Sequence, residues 1–167
     1  MCKRIILAMA LLLTVAGNLH ASPSRDGKVI GGTSSGFSTI GSETIYITDL
    51  SFDYFFHRDI SIGYEMLVGI GDFFLWGNQG VGKYTFDIPS NDWARNLTPY
   101  IQMQMGFGLL TNGSTEATFL GGFGWGADYY VDPRWALGTN MLFNFGNDIA
   151  SKNFAFIWKV VTVKYIF

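Results

Sequence analysis

Few side chains in this sequence could carry chemistry. Two histidines occur in the 167 residues, His20 and His57. His57 opens the segment His57-Arg58-Asp59, whose composition is that of a tight turn. Histidine with a serine and an acid would support hydrolysis, but a histidine flanked by turn charges reads as a solvated polar residue. Carboxylates recur at Asp49, Asp53, Glu65, Asp87 and Asp128, with Lys83 and Lys164 of the same strand parity. Paired carboxylates can hydrolyse glycosides. The competing and stronger reading is a network of charge partners lining a narrow interior, where charge is tolerated only when paired. On this reading Glu65 and Lys83 meet across neighbouring strands. Asp92, Arg95, Asp148 and Lys152 read as solvated loop charges. Glycine spacing in Gly121-Gly122-Phe123-Gly124-Trp125-Gly126 matches a phosphate-binding fingerprint only loosely, and it lies inside a strand rather than before a helix. No catalytic residue, metal ligand or cofactor site is assigned.

The elements that must position these groups follow a period of two. From Ile60, one parity carries Ile60, Ile62, Tyr64, Met66, Val68 and Ile70, and the other Ser61, Gly63, Glu65, Leu67 and Gly69. In a strand the two sets stand on opposite faces. From Leu97 the apolar set Leu97, Pro99, Ile101, Met103, Met105 and Phe107 opposes Thr98, Tyr100, Gln102, Gln104, Gly106 and Gly108, a face that is polar or small throughout. The same alternation predicts strands over 28–39, 44–56, 60–70, 81–88, 97–108, 118–131, 135–145 and 154–167. His57-Arg58-Asp59 and Asp132-Pro133-Arg134 are tight turns. Gly71 to Gly80, Leu110 to Thr118 and Gly146 to Asn153 are expected as longer loops, being rich in Gly, Asn, Ser or Thr.

Before the strands comes an address. Lys3 and Arg4 precede an apolar run from Ile5 to Ala16, and Leu19-His20-Ala21 offers a small residue before a cut, the pattern of a secretory signal peptide over 1–21. The run is too short to span a bilayer as a helix, which takes about 20 residues. Cys2, the single cysteine, would leave with it, so the mature segment 22–167 has no disulfide and no cysteine-ligated metal. Only 14% of residues are charged and 49% are hydrophobic. That is too little charge for an ordinary soluble domain and too apolar for a disordered chain. A formal net charge of -2 argues against a nucleic-acid partner.

The direction of each face decides the class. A soluble barrel puts its apolar face inside. Here glycines 63, 69, 106, 108, 122, 124, 126 and 138 crowd the polar face, as an eight-stranded closed wall requires of its narrow inner side. Bulky Phe, Tyr, Met, Ile and Trp occupy the other face, which suits a wall against lipid, with Tyr54, Phe56, Tyr129, Trp135 and Tyr165 as interfacial aromatics. Inside hydrocarbon every backbone group needs a partner, so the sheet must close. The expected fold is all-β: an eight-stranded antiparallel up-and-down transmembrane barrel, with short periplasmic turns and longer extracellular loops. Lys159 departs from the pattern, sharing the outward parity of Val161, Val163 and Tyr165. It is expected roughly 20 Å above Phe167, where a lysine can snorkel, or else beside a β-bulge.

The segments LTPYIQMQMGFG and GGFGWGADYYVDPRWALGTNMLF, and the ending Val161-Thr162-Val163-Lys164-Tyr165-Ile166-Phe167, resemble the small OmpA-like, OmpX-like and OmpW-like barrels of Gram-negative outer membranes. The resemblance covers most of residues 27 to 167 and shows no appended peptidoglycan-binding domain. It implies export to the outer membrane, contact with membrane lipid and lipopolysaccharide, and recognition of Val163, Tyr165 and Phe167 by the barrel-assembly machinery. In a bacterial exported protein the sequons Asn96-Leu97-Thr98 and Asn112-Gly113-Ser114 carry little meaning. The expected role is non-enzymatic, structural or surface-interacting, or porin-like as a narrow passage for small or apolar molecules. A monomer without cofactor is expected. Some such barrels modify lipid or lipopolysaccharide with a histidine at the extracellular rim, but His57 lies at the opposite end. A secreted soluble ligand-binding barrel is the remaining alternative.

Overall fold

The computed structural model describes residues 23–40, 43–88, 93–112, 114–145 and 155–167. The signal segment with Cys2, and Asp92, Asp148 and Lys152, lie outside them. Eight strands form: β1 (Val29–Ile40), β2 (Glu43–His57), β3 (Ile60–Ile70), β4 (Phe74–Thr85), β5 (Leu97–Asn112), β6 (Ser114–Tyr130), β7 (Trp135–Phe145) and β8 (Ala155–Ile166). Each pairs antiparallel with the next, and β8 pairs with β1 to close the barrel. Stepping from Ile30 across partners Asp53, Gly63, Val81, Gln104, Gly122, Asn144 and Ala155 returns to Ile40, ten residues further along β1. A stagger of that size means strands tilted by about 40° to the barrel axis, the geometry of closed membrane barrels. No helix among the described residues is long and apolar enough to cross a membrane.

Both ends of the strand order, Val29 and Ile166, lie at one end of the barrel, here called proximal, together with the turns after β2 and β6. The longer connection 86–96, with a 3-10 turn at Trp93–Asn96, is also proximal. At the distal end two expected loops are instead strand. β4 begins at Phe74 rather than 81, and β5 and β6 run to Asn112 and from Ser114. The Gly, Asn and Gln of residues 77–82 look like loop composition, yet Phe74, Trp76 and Tyr84 keep the outward parity and Leu75, Val81 and Lys83 the inward one.

The outer wall is apolar along its height. Ile62, Met103, Met105 and Phe107 are all more than half exposed, at 59%, 72%, 67% and 71%, and lipid is what such a face requires. Tyr54, Phe56, Tyr129, Trp135 and Tyr165 all fall near the proximal ends of their strands, so they form one girdle rather than two. Trp135 meets Tyr165 edge-on at 4.8 Å, and Tyr165 meets Phe167 at 5.1 Å. Phe37, Tyr46, Trp76 and Trp158 stand toward the distal side.

Inward glycines sit against large inward side chains of nearby strands. A Cβ at Gly126 would lie 2.6 Å from the Tyr100 ring, and one at Gly77 would lie 2.9 Å from Leu120. Small residues thus make the room that an eight-stranded lumen otherwise lacks.

Candidate functional site

The interior is built in three layers. At the distal end the inward positions are apolar: Ile45, Ile47, Leu67, Phe73, Leu75, Leu120, Leu142, Ala155 and Ile157 form one buried cluster. The polar inner face read along β5 therefore does not continue around the barrel. At the proximal end Ile30, Phe55, Tyr130, Ala136 and Ile166 form a second cluster. Arg25, 2% exposed, lies over the Phe55 ring at 5.7 Å and donates to Asp87 at 2.8 Å and to the Arg58 carbonyl at 3.0 Å. The segment before β1 reaches this position through Gly27, whose φ of 70° is the left-handed region that glycine enters without strain.

Between the clusters lie seven ionisable side chains, all buried. Lys83 Nζ is 2.6 Å from Asp53 Oδ2, and Lys164 Nζ is 2.6 Å from Asp128 Oδ2. Lys159 Nζ bridges two carboxylates, Asp49 at 2.8 Å and Glu65 at 2.6 Å. Ser34 also donates to Asp49. Tyr100 stands between two of the lysines, with Lys164 Nζ 4.6 Å and Lys83 Nζ 5.7 Å from its ring centroid. Gln102 donates to Gln104, Gln104 to Asn144, and Asn140 to Gln102 at 2.7 Å. These contacts leave an internal void of about 10 Å³, at most one water molecule by size.

Six of the seven sequence-predicted network residues line this lumen: Asp49, Asp53, Glu65, Lys83, Asp128 and Lys164. Their partners differ from expectation. Glu65 and Lys83 do not form the expected pair, because β4 ends at Thr85 rather than 88 and sets Tyr84 opposite Ile60, which places Glu65 opposite Gln79 and Lys83 opposite Ser61. Asp87 is not in the lumen wall. It follows β4 and pairs with Arg25 and Arg58 at the proximal rim. Partial burial raises its carboxyl, but hydrogen bonds and charge from both arginines outweigh that and hold it below the ordinary aspartate value.

Lys159 is the residue the alternation misplaced. It is 4% exposed and faces the lumen. A bulge explains it: Ser35 pairs with Val161 and Gly36 with Lys159, so Val160 is an extra residue in β8. Val160 and Val161 consequently both point outward, at 37% and 52% exposure. Two successive apolar residues in an alternating strand are the sequence trace of such a bulge. Arg25 left no comparable trace, since it lies outside the strand pattern.

His57 sits in the proximal turn with its side chain 58% exposed, accepting from the Asp59 backbone N–H at 3.3 Å. No group of three or more potential metal ligands occurs among the described residues. A concavity of about 490 Å³ is a shallow groove on the outer wall beside Gly82, walled by Ile62, Tyr84, Ile101 and Met103.

No protein-family model matches the sequence, and a search of curated proteins finds no match. Solved structures do match. Neisserial surface protein A (NspA) is similar over 84% of this chain and 96% of its own, at 17% identity and a TM-score of 0.66. The N-terminal β-barrel domain of OprF from Pseudomonas aeruginosa is similar over 85% and 98%, at 15% identity and 0.66. The outer membrane protein OprG from Pseudomonas aeruginosa is similar over 89% and 99%, at 10% identity and 0.55. The shared feature is the fold. This chain has the closed eight-stranded architecture of small outer-membrane barrels, with a lipid-facing wall to match.

Proposed function

We propose that this chain is a non-enzymatic protein of a bacterial outer membrane that acts as a structural or surface-contacting element, not as an open passage. The observation that carries this reading is the filled lumen. Apolar clusters close it at both ends, three lysines and four carboxylates interlock between them, and the void is about 10 Å³. Water and ions need a continuous polar path, and a packed apolar layer at each end interrupts it. The proximal end faces the periplasm, as the first and last strand ends do in such barrels of even strand number. Residues 1–21 serve as a signal peptide, and 22–167 form the mature barrel.

Membrane lipid and lipopolysaccharide surround the apolar wall. Val163, Tyr165 and Phe167 serve as the recognition segment for the assembly machinery. Val163 and Tyr165 face outward on β8, and Phe167 is 67% exposed beside Tyr165. Conductance decides the central claim. Purified barrel inserted in planar bilayers should leave the current at the bare-bilayer level. Sustained unitary currents would refute a closed lumen and restore the passage reading.

A further inference from the structure

Among the described residues the lumen charges do not balance. Asp49, Asp53, Glu65 and Asp128 face three lysines, Lys83, Lys159 and Lys164, and all seven are at most 8% exposed. Two pairs are one to one: Lys83 with Asp53 and Lys164 with Asp128. The third lysine is shared, with Lys159 serving both Asp49 and Glu65. One carboxylate is therefore in surplus inside a closed, low-dielectric space, where an uncompensated charge neutralises rather than persists.

The shared Lys159 and the unpartnered atoms beside it show where. Asp49 Oδ2 already accepts from Ser34 and from Lys159. Glu65 uses only Oε2, and its Oε1 is buried without a hydrogen-bond partner. Across the ladder from Glu65 stands Gln79 of β4, whose Oε1 and Nε2 are also buried and unpartnered. Asn140 Oδ1, unpartnered as well, belongs to a residue lining the same small void as Glu65. From the elements around it, Glu65 faces Lys159 of β8, Asp49 and Asp53 of β2, and Lys83 and Gln79 of β4. Lys164 of β8 and Asp128 of β6 pair one to one, although Asp128 Oδ1 is also buried without a hydrogen-bond partner, and β1, β5 and β7 contribute the uncharged Ser34, Tyr100, Gln102 and Asn140.

We infer that the lumen is a proton-binding site: one proton resides on Glu65, at Oε1, when the surrounding solution is neutral. It makes the interior electrically neutral and supplies a donor for acceptors that otherwise have none, directly or through the single water that the void admits. The inference goes beyond the closed-barrel reading, and bilayer conductance tests that reading separately. It carries a pH dependence with a definite sign. Over the range where native Glu65 holds a proton and the unfolded chain has lost it, the folding equilibrium constant falls as pH rises, by up to tenfold per pH unit for one proton.

Infrared spectroscopy of the full mature barrel, folded in ester-free detergent so that no lipid carbonyl overlaps, tests this. The wild type at neutral pH should show the C=O stretch of a protonated carboxyl. Glu65→Gln should lose it. Asp49→Asn should lose it as well although Glu65 is still present, because three carboxylates then balance three ammonium groups. A purely structural Glu65 would not respond to Asp49. In urea unfolding, the pH slope above the usual carboxylate range should be present in the wild type and absent in both variants. No protonated-carboxyl band in the wild type, or a band that persists in Asp49→Asn, would overturn the assignment.

Discussion

Replacing Lys159 by methionine distinguishes the two places the sequence allows for this residue, because the two predict opposite signs. On the outer wall near the far interface a lysine costs about 0–1 kcal/mol, so methionine there would be neutral or slightly stabilising. In the structure Lys159 is 4% exposed and its ammonium group bridges Asp49 and Glu65 at 2.8 and 2.6 Å. Methionine keeps the bulk and removes the charge, leaving the Asp49 carboxylate and the Glu65 carboxyl beside it without a cation. Removing one side of a buried ion pair costs about 3–5 kcal/mol, most of it the desolvation of the partner left behind. The loss should therefore fall in that range or at its upper end. Most of it should return when both partners are also made neutral and isosteric, in the triple variant Lys159→Met, Asp49→Asn, Glu65→Gln, since an uncharged trio has nothing to compensate. Urea unfolding in lipid vesicles, with equal m-values as the check that the unfolded state is unchanged, gives the numbers. A single variant within about 1 kcal/mol of wild type, or a triple variant no better than the single, would refute the bulge-directed lumen.

Four further expectations rest on other parts of the fold. Gly126→Ala should destabilise by about 1–3 kcal/mol, because its Cβ would meet the Tyr100 ring at 2.6 Å and the Thr139 carbonyl oxygen at 2.5 Å. Gly82→Ala, with nothing within 4 Å of the new methyl, should be neutral or slightly stabilising in the same unfolding assay. The arginine contacts that hold the Asp87 carboxyl below its ordinary value contribute stability that is present above the unfolded-state value of about 4 and is lost as pH falls through the lower native value. Asp87→Asn should flatten that acid limb, and an unchanged limb would show that the proximal arginine cluster does not contribute. Removing Phe167 should lower outer-membrane yield, read as the heat-modifiable band in membrane fractions, more than it lowers refolding in detergent. Equal membrane yields would count against Val163, Tyr165 and Phe167 as the assembly segment.

The class of the molecule was legible in the sequence because a strand's two faces alternate with fixed period. Ile60 to Ile70 and Leu97 to Phe107 display lipid-facing and lumen-facing sets directly. The glycines mark the inner face because eight strands leave little room there. The same parity placed Asp49, Asp53, Glu65, Lys83, Asp128 and Lys164 in the interior. Parity, however, says which face a residue takes and nothing about its height around a closed wall. The extent of β4 could not be read from Gly77 to Gly82, where glycine serves both as loop residue and as space for Leu120, and its proximal end at Thr85 rather than 88 shifts the register against Ile60 by four residues, which removes the pairing of Glu65 and Lys83. Lys159 was misplaced because Val160 adds one residue to β8, and one residue reverses every face beyond it. Closure of β8 on β1 then sets Lys159 beside Asp49 and Glu65, residues more than ninety positions away for Glu65, which no local pattern encodes. The distal apolar layer arose the same way. Ile45, Leu75, Leu120, Leu142 and Ile157 come from five strands, and only the ten-residue stagger of the barrel brings them to one level.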